Sequence, residues 1–142
     1  MVLVDSSVWI EGFRRHGDLS VKVGLENLLE EYEALWCGPV KLEVLGAAPK
    51  AERRKLEFFF ECIPYRSMND TEWDEAKRLS WQLRDHGFSL PWNDVLIASL
   101  ALKWNMRIYS KDSHFEIMHR EVGLRLYQPG LGGKFQPEEE YL

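Results

Sequence analysis

The sequence predicts an α/β fold built on a central, mostly parallel sheet. Short apolar runs alternate with longer stretches of helical periodicity, and the links between them are short. The first run, Val2-Leu3-Val4, is apolar throughout, as strands buried on both faces are, and it ends on a carboxylate, Asp5. Such alternation implies βαβ units with right-handed crossovers. In an open sheet of that kind, ligands sit outside the carboxyl ends of the strands, so Asp5 is delivered to the functional edge.

The 142 residues suffice for one domain with a single core. Hydrophobic residues make up 45% and charged residues 29%, the balance of a soluble globular chain. The longest helical apolar run, Val95 to Leu102, falls well short of the ~20 residues that a membrane span needs. With no secretory signal visible, the expected location is cytoplasmic. A net charge of −5 argues against gripping nucleic acid by bulk electrostatics. Four of those charges belong to the acids singled out below, so cations bound there would remove most of the objection. Cys37 and Cys62 both fall in segments that read as interior strands, where a free thiol behaves as a small hydrophobe. With neither CxxC nor a His/Cys spacing, a zinc site is not expected.

Along the chain, Ser6 and Ser7 suit the start of a helix over Val8 to Phe13, closed by Arg14-Arg15-His16-Gly17. Cations at a helix end complement its dipole, which explains this basic run without invoking phosphate contacts. Leu25, Leu28, Leu29 and Tyr32 recur at helical spacing and predict an amphipathic helix from Asp18 to Glu33. Ala34 to Cys37 reads as the second strand, and Gly38-Pro39 turns into a helix carrying Val40, Glu43, Val44 and Ala47 on one face. After Pro49, a helix runs from Lys50 through Phe58-Phe59-Phe60. Three consecutive Phe residues cannot all face one core from one helix, so at least one is expected at the surface.

Glu61-Cys62-Ile63 resembles a third strand stopped by Pro64. Asn69-Asp70-Thr71 offers a cap for a helix with the stripe Trp73, Ala76, Ser80 and Leu83, which Gly87 ends. Pro91 opens the next helix, on which Asp94, Ile97, Ala98 and Ala101 share a face of small residues. Arg107 to Ser110 reads as a strand, Asp112 heads a helix through His119, and Leu124 to Tyr127 reads as an edge strand. Residues 1–128 are therefore the expected domain, with 129–142 as a Gly/Pro-containing acidic tail.

Asp5, Glu43, Asp94 and Asp112 each stand where a strand ends or a helix begins, so the fold can gather them on one rim. Singly they have ordinary explanations: Asp112 as a helix cap, Glu43 as an acid near a helix N-terminus. Crowded together they would raise one another's pKa unless a cation compensates. Oxygen-only ligands select hard ions such as Mg²⁺ or Mn²⁺, whose chemistry at such sites is phosphodiester hydrolysis. Trp92 reads as core or dimer contact rather than a base-stacking platform, and His16 and His114 read as exposed surface histidines.

Val4-Asp5-Ser6-Ser7-Val8-Trp9-Ile10, Lys41-Leu42-Glu43-Val44-Leu45-Gly46, Asn93-Asp94-Val95-Leu96-Ile97-Ala98 and Ser110-Lys111-Asp112-Ser113-His114-Phe115 resemble, in order, the four signature segments of PIN-domain ribonucleases. Among these the chain most resembles the VapC toxins of toxin–antitoxin pairs. The resemblance implies a three-layer α/β/α sandwich and a Mg²⁺- or Mn²⁺-dependent site cutting RNA internally. It assigns Asp5, Glu43, Asp94 and Asp112 to metal and water, with Ser7 and Ser110 as supporting hydroxyls. It further implies a homodimer and a VapB-like antitoxin that lays a tail across the groove. Ser6 stands where the family often has Thr, a change that keeps the hydroxyl.

An RNA-processing PIN nuclease without an antitoxin is the alternative within the same fold. A receiver-like cation-binding module would want a second acid beside Asp5, where Ser6-Ser7 stands. A haloacid-dehalogenase-type phosphatase would want Asp-x-Asp, and Ser7 occupies its second position.

Overall fold

A computed structural model describes residues 1–129. Four parallel strands, β1 (Val2–Val4), β2 (Ala34–Cys37), β3 (Tyr65–Arg66) and β4 (Arg107–Tyr109), lie in the order β3-β2-β1-β4. Seven helices flank them: α1 (Ser6–Phe13), α2 (Leu19–Glu30), α3 (Gly38–Val44), α4 (Arg53–Glu61), α5 (Asp70–Asp85), α6 (Trp92–Lys103) and α7 (Ser113–Val122). Together they form the three-layer α/β/α arrangement that the resemblance implies.

Strand β1 is central, with Leu3 opposite Leu35 of β2 on one side and Ile108 of β4 on the other. All residues of β1, β2 and β4 are buried, which is why β1 and β2 are apolar without alternation. Helix α1 packs on α2, and α5 packs on α6. An aromatic cluster of Trp9, Phe13, Trp36, Phe59 and Phe60 joins α1, β2 and α4. Trp9 also donates its indole N–H to the Val4 carbonyl, 3.1 Å away, so its polar atom is satisfied inside the core. Phe60 is buried and Phe58 is exposed, the division expected of three Phe in a row. Gly24 lets α2 approach the sheet: a Cβ there would lie 2.5 Å from the Tyr109 hydroxyl, which donates to the Val21 carbonyl.

Local chemistry sets most boundaries. Asp5, Asp18 and Asp112 cap α1, α2 and α7 through their side chains, and Asn69 with Glu72 forms a reciprocal capping box at α5. Gly87 (φ 90°) and Gly123 (φ 74°) end α5 and α7 in backbone conformations that suit glycine.

Several expectations are corrected. The third strand is Tyr65–Arg66, not Glu61 to Ile63: α4 continues through Glu61, and the two-residue strand begins only after Pro64. Cys62 is therefore exposed at the end of a helix, while Cys37 is buried in β2. Helix α2 ends at Glu30, and Tyr32 takes a positive φ in the following turn, leaving its ring exposed rather than on the helical stripe. Helix α3 ends at Val44, so Ala47 lies beyond it, and Glu43 is exposed beside buried Val40 and Val44. Trp73 points outward; Glu72, Ala76, Leu79 and Leu83 form the buried face of α5. Trp92 is 68% exposed, which excludes a core role. The last edge strand is reduced to a single bridge between Leu126 and Ile108. The acidic tail expected over 129–142 lies, except for Pro129, outside the described residues.

Candidate functional site

Strand order reverses at β1, since β2 leaves on one side and β4 returns on the other. A crevice opens at such a point outside the carboxyl ends of the strands. Asp5 follows β1 directly, and Ser110 to Asp112 follow β4. Asp94 enters from the first turn of α6 and Glu43 from α3. The four acids come from four separate segments.

Hydroxyls and amides fix this rim. The Ser7 and Ser110 hydroxyls donate to the same Asp5 oxygen, Oδ2, at 2.7 and 2.9 Å, and lie 3.1 Å from each other. The Asp112 backbone N–H donates to Ser110 Oγ at 2.9 Å, and the Lys111 N–H donates to Ser7 Oγ at 3.0 Å. The loop after β4 is thus tied to the cap of α1. Glu43 Oε1 accepts from the Ser6 hydroxyl at 3.1 Å and from the Asn93 amide. At the other end of the rim, His114 Nδ1 lies 2.7 Å from Asp94 Oδ2 and 2.9 Å from Asp112 Oδ1. Asp94, Asp112 and His114 each offer a ligand atom within 4.8 Å of the others.

The electrostatics follow from crowding. Burial raises the Asp94 pKa to about 6, and the charges of Asp112 and Asp5 push in the same direction against the His114 hydrogen bond. Glu43 is also raised, first by loss of water and then by Asp5 and Asp112, while Ser6 and Asn93 oppose the shift. The His114 pKa rises, chiefly through its bond to Asp94. An acidic rim under mutual repulsion, with oxygens of Asp94 and Asp112 within 4.8 Å of each other, is a donor set that fits a divalent cation. Lys111, beside Asp112, is held 3.4 Å from Glu11 and leaves the rim itself net negative.

The sequence reading missed three contributors. His114 is half-buried between two acids, not a free surface histidine, because the N-termini of α6 and α7 converge; His16 is exposed as expected. Asn93 and Ser6 hold Glu43 across segments distant in sequence. The adjacency of each to an acid, Asn93 to Asp94 and Ser6 to Asp5, was the available signal.

An α/β sheet with acids of this kind at its switch point defines a class, and comparison with known proteins identifies it. Residues 2–120 match the PIN domain, and the chain belongs to the PIN-domain family. Within it, the chain is a homologue of the VapC ribonucleases. It is 31% identical over 130 residues to VapC ribonuclease Mb1587 of Mycobacterium bovis and to ribonuclease VapC11 of Mycobacterium tuberculosis, covering 88% of this chain and 96% of each relative. Two solved structures share the fold at lower identity. FitAcB from Neisseria gonorrhoeae superposes with a TM-score of 0.73 at 15% identity, over 91% of this chain and 98% of that one. VapBC2 from Rickettsia felis, bound to a DNA fragment from its promoter, gives 0.71 at 22% identity, over 89% and 97%.

Proposed function

We propose that this protein is a VapC-type PIN ribonuclease that cuts RNA internally, dependent on Mg²⁺ or Mn²⁺, and that it is the toxin of a toxin–antitoxin pair. The observation that carries the reading is the gathering of Asp5, Glu43, Asp94 and Asp112 at the β1/β4 crevice, in a chain whose ribonuclease relatives match it nearly end to end. Asp5, Asp94 and Asp112 would hold the cation, with Glu43 positioning water or a second ion. A divalent cation bound there supplies charge neutralisation at a phosphodiester and acidification of water.

The chain's own groups supply orientation. Ser7 and Ser110 fix the Asp5 carboxylate through one oxygen, which leaves the other turned away from them. Ser6 and Asn93 fix Glu43 through Oε1, and its raised pKa suits Oε2 to receive a proton from an attacking water. Neither acid needs to reorient on binding substrate, and that preorganisation is where such a site gains rate.

The proposed domain is residues 1–128. Its partners would be RNA, a VapB-like antitoxin, and a second copy of the chain. The toxin–antitoxin complexes among the structural neighbours support the antitoxin. For the second copy, exposed Trp73, Trp92 and Leu42 line adjoining grooves between α3, α5 and α6, an apolar surface that water disfavours. Among the described residues no helix is long and apolar enough to cross a membrane.

The test is incubation of the purified, antitoxin-free chain with defined RNAs in Mg²⁺ or Mn²⁺. Internal cleavage that EDTA stops and Asp94→Asn abolishes is expected. RNA left intact across both metal titrations would overturn the proposal.

A further inference from the structure

The four residues singled out as ligands offer only carboxylate oxygen, yet the structure places a nitrogen among them. His114 Nδ1 is 2.7 Å from Asp94 Oδ2 and 2.9 Å from Asp112 Oδ1. Neighbouring ligands of one octahedral cation, each about 2.1 Å from it, lie roughly 3 Å apart. The imidazole nitrogen therefore already stands at ligand spacing from both carboxylates. Its position is not accidental: the His114 backbone N–H donates to Asp112 Oδ1 at 3.0 Å, so the cap that starts α7 also fixes where the ring emanates. Phe115, the next residue, is buried and anchors the same turn in the core.

We infer that His114 is itself a cation ligand, through Nδ1 beside Asp94 and Asp112, releasing to solvent the proton that this atom shares with the two carboxylates, and that this nitrogen makes the site favour Mn²⁺ over Mg²⁺. Magnesium binds oxygen and gives up its waters reluctantly, whereas imidazole is a donor for the softer transition ions. Replacing one oxygen ligand by nitrogen shifts preference toward Mn²⁺ without altering the charge that the acids supply. This inference rests on the metal-dependent reading above and adds to it the identity of one ligand and the direction of selectivity.

Pulsed electron paramagnetic resonance of Mn²⁺ bound to the tag-free full chain reads the ligand directly, since a coordinated imidazole gives nitrogen coupling to the ion. The wild type is expected to show that coupling and to bind Mn²⁺ more tightly than Mg²⁺ in calorimetry. H114Q is expected to lose the coupling and to bind Mn²⁺ on the order of tenfold more weakly, with a smaller change for Mg²⁺. The chain has four histidines; a variant with His16, His86 and His119 all replaced by Gln is expected to keep the coupling, which preserves the test if H114Q does not fold. Mn²⁺ bound without nitrogen coupling, or an unchanged Mn²⁺/Mg²⁺ affinity ratio in folded H114Q, overturns the inference and leaves the nuclease reading standing. A wild type that binds no Mn²⁺ overturns both.

Discussion

Ser7 and Ser110 are 103 residues apart in sequence, and their hydroxyls meet at 3.1 Å over one oxygen of Asp5. One follows β1 and the other follows β4, so a contact between two small side chains locks the two strand ends that flank the crevice. Removing the Ser110 hydroxyl takes a donor from Asp5 and an acceptor from the Asp112 N–H at once. Ser110→Ala is expected to lower kcat by roughly 10- to 100-fold, the usual loss when the support of a metal-binding group goes. Circular dichroism should find the fold unchanged; a variant with wild-type turnover would deny the pair its orienting role.

Asp94 carries a signed pH dependence in metal-free protein. Its folded pKa, about 6, exceeds the ordinary carboxylate value of 3.8, so the folded chain holds this proton more tightly than the unfolded one. The resulting stability is fully present below about pH 3.8 and is lost as pH rises through 6. In EDTA, the wild type should therefore lose melting temperature relative to Asp94→Asn between those limits. A difference that grows in the opposite direction would contradict the raised pKa.

Divalent cation should reverse that loss near neutral pH. An ion that binds only the folded chain stabilises it by mass action, by about 2.7 kcal/mol at a hundred times its dissociation constant. Differential scanning fluorimetry should show a rising Tm with Mn²⁺ for the wild type and a much smaller shift for Asp94→Asn. Equal shifts in both would place the ion elsewhere.

The two thiols should react at very different rates. Burial pushes the Cys37 thiol up to about 12, so it is protonated and inaccessible, while Cys62 is exposed at the end of α4. A thiol reagent on native protein should modify one cysteine quickly and the second only after denaturant. Rapid modification of both would mean that β2 opens readily.

The apolar surface between α3, α5 and α6 should govern assembly. Trp92→Glu combined with Trp73→Glu places charge in the adjoining grooves, and light scattering should report a monomer, against the dimer proposed for the wild type. A dimer that survives both substitutions uses another face.

The parts legible in the sequence were those set by local pattern. Val2 to Val4 reads as a buried strand because it is apolar without alternation, and Asp18, Asn69 and Asp112 announce helix starts because capping acts within three residues. Strand β3 escaped because two exposed residues carry no periodicity, and because Cys62 and Ile63 look more strand-like than Tyr65 and Arg66. Its pairing with Trp36 and Cys37 is a tertiary fact. The acids were found one by one from their place at element ends. The hydrogen bond from Ser6 to Glu43 and the seat of His114 between two carboxylates depend instead on how α1 meets α3 and how α6 meets α7, which no single stretch encodes.

The proposed nuclease chemistry requires one cation shared by acids from separate segments. Anomalous diffraction from crystals soaked in Mn²⁺ locates that ion without reference to activity. A peak in contact with the carboxylates of Asp94 and Asp112 and beside Asp5 is the predicted result. A fully loaded crystal whose only manganese peaks lie away from the β1/β4 crevice would contradict it.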